Sequence, residues 1–74
     1  MNEDEAKTMA ERFIATQDMK GHSIQFVSAT KGIRSPDEWS ILYDLFSPQG
    51  TLIDGPIVVL VDDASGEVRL FGLA

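Results

Sequence analysis

The stretch Gly55–Gly72, GPIVVLVDDASGEVRLFG, decides the fold. Five consecutive apolar residues, Ile57 to Val61, run into Asp62-Asp63-Ala64-Ser65-Gly66, and an alternating segment, Glu67 to Phe71, follows at once. A short β-branched run bounded by turn residues reads as a strand, and a Gly-bearing loop of a few residues joins two such strands into a hairpin. Ile57–Val61 is apolar on both faces, which marks a central strand covered by a helix on one side. Pro56 and Asp62-Asp63 bracket it, in the manner of residues that discourage aggregation.

Upstream, Trp39 to Phe46 sets Trp39, Ile41, Tyr43 and Leu45 against Ser40, Leu42, Asp44 and Phe46. That period of two is a strand, and its odd-numbered face is the better candidate for the core. Ser23 to Ala29 reads as a strand before it, with Ile24 and Phe26 on one face and Gln25 and Val27 on the other. Thr30 to Glu38, with Gly32 and Ser35-Pro36-Asp37, is a turn-rich connection. Ser47 to Pro56 holds two prolines and two glycines, so it reads as a loop or a distorted edge in which Thr51-Leu52-Ile53 pairs briefly.

The chain opens with helix signals. Asn2 followed by Glu5 has the spacing of a capping box, and Glu3, Asp4 and Glu5 complement the positive end of a helix dipole. Ala6, Met9, Ala10, Phe13 and Ile14 recur at three- and four-residue intervals and share one helical face. The pattern predicts a helix from about Glu3 to Met19, closed by Gly21 as its C-terminal cap. The expected architecture is α+β: one N-terminal helix packed on a three- to four-stranded, mainly antiparallel sheet, an αββββ meander, with residues 1–74 as a single small domain.

Composition narrows the function classes. A chain of 74 residues buries only about 60% of its unfolded surface, so its core is thin. The absence of cysteine removes disulfides and thiolate-held zinc as staples, leaving good packing or self-association. The formal net charge is −6, from twelve acidic and six basic residues, and the basic ones are scattered. Phosphate backbones need Lys and Arg concentrated on one surface, so no nucleic-acid partner is expected, whereas a basic protein partner suits the charge. The longest wholly apolar run, Ile57 to Val61, is far too short to span a bilayer, and the first twenty residues show no secretory pattern. The expected setting is therefore the cytoplasm of a bacterial-type cell, with no membrane partner.

Candidate chemical sites all have a structural alternative that outweighs them. Asp62, Asp63 and Glu67 invite a divalent-cation reading, but Ala64 occupies a position where a calcium loop needs a ligand, and Asp-rich turns with Gly66 need no metal. His22 is the sole imidazole and lacks a partner nucleophile, so it reads as a helix C-terminal residue. Trp39 and Tyr43 share a strand face and read as core rather than a stacking platform. Gly50, Gly55 and Gly66 match neither phosphate-loop nor dinucleotide spacing. No catalytic residue, cofactor or metal is expected, and the chain does not read as an enzyme.

Trp39 opening a strand, then Gly55-Pro56, an apolar run and Val61-Asp62-x-x-Ser65-Gly66-Glu67-Val68 resemble two groups of small domains. One is the PepSY-like domains; the other is the small bacterial toxin-immunity proteins that follow a Trp-bearing strand with a Gly-Pro strand and a similar hairpin. Both carry a helix followed by a β-meander, akin to half a cystatin or the NTF2-like sheet. The resemblance implies non-catalytic binding, as a protease inhibitor or as the antagonist of a cognate toxin. It supplies no catalytic residue.

One helix covers one sheet face. Leu42, Phe46, Val58, Leu60 and Phe71 then lie on the other, an apolar surface large enough to meet a partner. With the acidic Asp44, Asp54 and Asp62 at its rim, these residues form the candidate partner-binding surface of an inhibitor or immunity-type module. The alternatives are a small-ligand pocket of cystatin/NTF2-like kind lined by Phe13, Trp39 and Tyr43, and a homodimer joined through strand edges or open sheet faces.

Overall fold

A computed structural model describes the backbone of residues 1–73, and the side chains of all these except 54, 72 and 73. A single helix, α1 (Glu3–Ala15), precedes four strands: β1 (Ser23–Lys31), β2 (Glu38–Phe46), β3 (Leu52–Asp62) and β4 (Val68–Leu73). The strands pair in sequence order, β1-β2-β3-β4, and every neighbouring pair is antiparallel. This is the α+β meander that the apolar run and its turn imply, with β3 in an interior position.

The capping box forms as expected. The Asn2 side chain accepts a bond from the Glu5 amide at 2.8 Å, and Glu5 Oε1 accepts one from the Asn2 amide at 3.1 Å. The other end differs from expectation: the helix stops at Ala15, not Met19. Thr16 Oγ1 donates to the Phe13 carbonyl at 2.6 Å, and the Thr16 and Gln17 amides turn back to Phe13 and Ile14 in tightened three-residue loops. A Thr hydroxyl that competes for the carbonyl four or fewer residues back weakens the helical ladder there. Gly21 consequently caps no helix. With Lys20 it takes a left-handed backbone (φ 52° and 84°) that turns the chain into β1. A side chain at Gly21 would press on Pro48, whose Cγ lies 3.2 Å from where its Cβ would stand. Met19 still packs on the core, and His22 binds its carbonyl through both backbone amide and Nδ1, each at 2.9 Å.

Two irregularities in register place the side chains. In β1 the pairing slips between Phe26 and Ser28, so Val27 is an extra residue. Ile24 and Phe26 face the helix as the alternation predicts, but beyond the bulge Ala29 opposite Ile41 takes over that face and the strand continues to Lys31. In β3 the pairing slips again, from Tyr43↔Ile57 to Leu45↔Ile53. Asp54-Gly55-Pro56 absorbs the difference: Gly55 adopts φ 86°, and Pro56 has no amide to lose from a ladder. The expected loop thus ends sooner, and β3 begins at Leu52.

The core lies between α1 and the sheet. Ala6 and Ala10 are fully buried, which lets the helix backbone approach the strands closely, and Ile14 completes its inner row. From the sheet come Ile41, Tyr43, Ile57, Val59 and Val61, with Trp39 and Leu45 packed around them. The odd-numbered face of β2 is therefore the core face, as its pattern implies. Among the described residues no helix is long and apolar enough to cross a membrane.

Candidate functional site: the open sheet face

Alternation and register put Ser40, Leu42, Asp44 and Phe46 of β2, Val58, Leu60 and Asp62 of β3, and Arg69 of β4 on the face away from the helix, and Phe71, unpaired at the β3–β4 bulge, joins them beneath the Arg34 guanidinium. Leu42 sits opposite Val58, and Ser40 opposite Leu60, so the apolar patch is contiguous across the two central strands. The expected set is brought together on one face. Asp54 falls among the residues whose side chains lie outside the description.

This face is not uniformly bare. Leu60 is 1% exposed although no helix covers it. The cover comes from charged neighbours: Arg69 Nη2 binds Glu38 Oε2 at 3.3 Å, and Arg34 Nη1 stands 3.8 Å from Glu38 Oε1. The same Arg34 guanidinium lies 4.5 Å over the Phe71 ring. Arg34, in the β1–β2 connection, thus bridges Glu38 of β2 and Phe71 of β4, while Glu38 and Arg69 stand beside Leu60. Pairs this exposed contribute at most about 1 kcal/mol each, so the lattice covers the face without locking it. Glu38 Oε1 is buried and accepts no hydrogen bond, its guanidinium neighbour being too distant for one.

Sequence reading missed Arg34, Glu38 and Arg69. The only signal was the four-residue interval from Arg34 to Glu38, which carries weight on a helix but none in a turn leading into a strand.

Beyond this covered quarter, Leu42, Phe46 and Asp44 remain partly exposed, Leu52 flanks Phe46 across the β2–β3 pairing, and Phe71 is 56% exposed. The acids differ in availability. Asp44 stands on β2 opposite Gln25. Asp62 is engaged in its own turn: Oδ1 accepts from the Ala64 amide at 2.8 Å and the Ser65 amide at 3.1 Å, and the Gly66 amide binds its carbonyl at 2.8 Å. The turn reading of Asp62–Glu67 therefore holds, and the second Asp62 oxygen is what remains for a partner.

Asp63 has a different task. Its carboxylate receives Lys31 Nζ and the Met1 ammonium, each at 2.7 Å, tying the β3–β4 turn to the end of β1 and to the start of the chain. The Lys31 hydrogen bond, then the terminal ammonium, holds the Asp63 carboxyl below the usual carboxylate range. Reciprocally, the Asp63 bond holds the Lys31 ammonium above its ordinary value.

On the opposite side, the residues of the pocket alternative are largely spent on packing. Tyr43 is 1% exposed, meets Phe26 edge to face with ring centroids 6.0 Å apart, and donates to Glu11 Oε2 at 3.2 Å. Burial pushes its phenol far above the ordinary range, and the Glu11 charge pushes the same way. Trp39 packs on the core beneath Lys31, whose ammonium is 5.9 Å from the ring. Phe13 lines two hollows, and these open beside β4 rather than between Trp39 and Tyr43.

Set beside known proteins, the chain matches no family model, no curated protein and no solved structure, so its geometry and chemistry carry the functional reading.

Proposed function

We propose that this chain is a non-catalytic protein-binding module of the inhibitor or toxin-immunity type, acting in the cytoplasm, and that its open sheet face receives a basic protein. One observation carries the reading: Leu42, Phe46 and Phe71 stay partly exposed on a four-stranded face whose helix lies entirely on the other side. Apolar ground of this kind at the centre, with Asp44 and Asp62 near it, is the arrangement in which buried area supplies affinity and rim charge speeds encounter. A net charge of −6 selects a cationic partner and disfavours an acidic one. The likeness of the Trp39-to-Val68 motif series to PepSY-like and immunity domains points the same way. The small-ligand alternative gains no support from Tyr43, which fills the space such a pocket would need.

The test pairs capture with localisation. Immobilised protein is exposed to lysate of the encoding organism, and the retained protein is identified and titrated against wild type, Leu42→Asp, Phe46→Asp and the helix variant Glu3→Lys. The reading requires a basic partner whose association slows as salt rises, whose affinity falls at least about tenfold in both sheet variants, and which Glu3→Lys leaves nearly unchanged. A partner indifferent to Leu42→Asp and Phe46→Asp, or no specific partner at all, removes it.

A further inference from the structure

A second surface is unpartnered: the outer edge of β4. Among the described residues nothing pairs with that side of the strand, and it carries two large apolar side chains, Leu70 and Phe71, at 52% and 56% exposure. Leu70 points to the helix side and joins Phe13 in lining a hollow of about 230 Å³; Phe13 also lines a neighbouring hollow of about 340 Å³ with Met9 and Val68. A shallow apolar trough thus runs between α1 and the β4 edge. The opposite edge is defended. There the Lys7 ammonium sits 4.5 Å over the Phe26 ring, and β1 is interrupted by the bulge at Val27 and ends in Lys31. Charge and bulges are the usual means of blunting an edge strand, whereas the described side chains of β4 offer the single bulge at Phe71 and one charge, Arg69, already paired with Glu38.

We propose that β4 pairs antiparallel with β4 of a second copy of this chain, forming a continuous eight-stranded sheet. Charge makes the second copy the fitting occupant. Although the chain is acidic overall, this margin carries both signs, with Arg12 and Asp18 lining the hollows on the helix side and Arg69, 3.3 Å from Glu38, standing beside Asp62 and Glu67 on the other, so each copy offers arginines to the acids of its mate. The edge is also complementary to itself. Residues directly opposite in an antiparallel pair share a face, so a two-fold axis through Leu70 sets Leu70 against Leu70 on the helix side. On the other side it sets each Arg69 against Phe71 of the second copy. Arg34 already occupies one face of that ring at 4.5 Å, and a second guanidinium across the axis repeats the same contact. The axis stands perpendicular to the sheet. Both helices then lie on one side, with Leu70 between the two Phe13 troughs, and on the other the Leu42 and Phe46 ground of each open face remains free.

Sedimentation equilibrium of wild type, Leu70→Lys and Phe46→Asp, over about 5 µM to 0.5 mM, tests the assignment, since weak specific pairs dissociate in that range. Wild type is expected to rise with concentration from 8.1 kDa towards twice that mass. Leu70→Lys places two ammonium groups face to face and is expected to weaken association at least about tenfold, while Phe46→Asp leaves it intact. Hydrogen exchange on the wild type supplies a readout independent of any variant: amides of Val68–Phe71 slow as concentration rises, and those of β1 do not. A strict monomer overturns the proposal, as does an assembly that Phe46→Asp dissolves and Leu70→Lys spares, or protection confined to β1. Failure here is distinguishable from failure of the partner reading, because Leu70→Lys is expected to retain the partner that Phe46→Asp loses.

Discussion

Replacing Ile41 and, separately, Leu42 by alanine trims isomeric side chains to a methyl group at adjacent positions on opposite faces of β2. Ile41 is 0% exposed, opposite Ala29 on one side and Val59 on the other, beneath the close-packed Ala6–Ala10 row of the helix. A site on a central strand collapses poorly, so the loss is expected within the range for buried Ile→Ala, about 3 kcal/mol. Leu42 keeps part of its surface in water and faces no helix, so its truncation is expected to cost less than about 1.5 kcal/mol. At about 0.05–0.15 kcal/mol per residue, 74 residues carry about 4–11 kcal/mol in all, so the first variant approaches the threshold of folding and the second does not. An unfolding entropy of about 2.1 cal/mol/K per residue gives about 0.16 kcal/mol/K for the chain, hence melting temperatures lower by about 20 °C and under about 10 °C respectively. Far-UV circular dichroism under urea titration and thermal melting measure both, with the urea slope expected to stay constant. Should Leu42→Ala cost as much as Ile41→Ala, the open face is part of the folding core and the one-sided layering is wrong.

Asp63 and Lys31 each make stability depend on pH. A carboxyl whose folded pKa is depressed contributes stability above its unfolded value near 4 and loses it as pH falls through the folded value, so wild type should destabilise more steeply than Asp63→Asn below about pH 4. A raised lysine acts in reverse: its contribution is complete below about pH 10.4 and is lost as pH rises through the folded value, giving a second steeper limb in wild type. Melting curves of the two proteins that run parallel at both extremes would contradict the assignment. At the helix start, Asn2→Ala leaves the Glu5 amide without its acceptor and is expected to cost about 1 kcal/mol, read by urea unfolding; Asn2→Ser should recover most of it, and an unchanged midpoint for Asn2→Ala would show the cap to be idle.

Much of this architecture was legible in the sequence because it depends on local rules. The capping box needs only Asn2 and Glu5 at the correct spacing, and the Asp62–Glu67 turn needs only an Asp side chain and Gly66 near it in the chain. Likewise, period-two alternation placed Trp39, Ile41, Tyr43 and Leu45 on the core face before any strand had a neighbour. The errors lie where competing local bonds or register intervene. Thr16 ended the helix a turn early by taking the Phe13 carbonyl, a choice that propensity does not record. The bulge at Val27 shifted which residue faces the helix, and Asp54-Gly55-Pro56 became a distortion within β3 rather than a loop before it.

Composition, patterning and turn chemistry by themselves determined that this chain is an acidic helix-plus-meander with a buried central strand, because those properties are set within a few residues of each other. Only tertiary structure decided how the second face is dressed. Arg34, Glu38, Leu60, Arg69 and Phe71 are separated by up to 37 positions, and no periodicity links them. Strand order alone brings Glu38 beside Arg69 and Arg34 over Phe71, covering Leu60 while Leu42 and Phe46 stay accessible. Contacts of this kind follow from register across three strands, which is a property of the folded sheet and not of any segment in it.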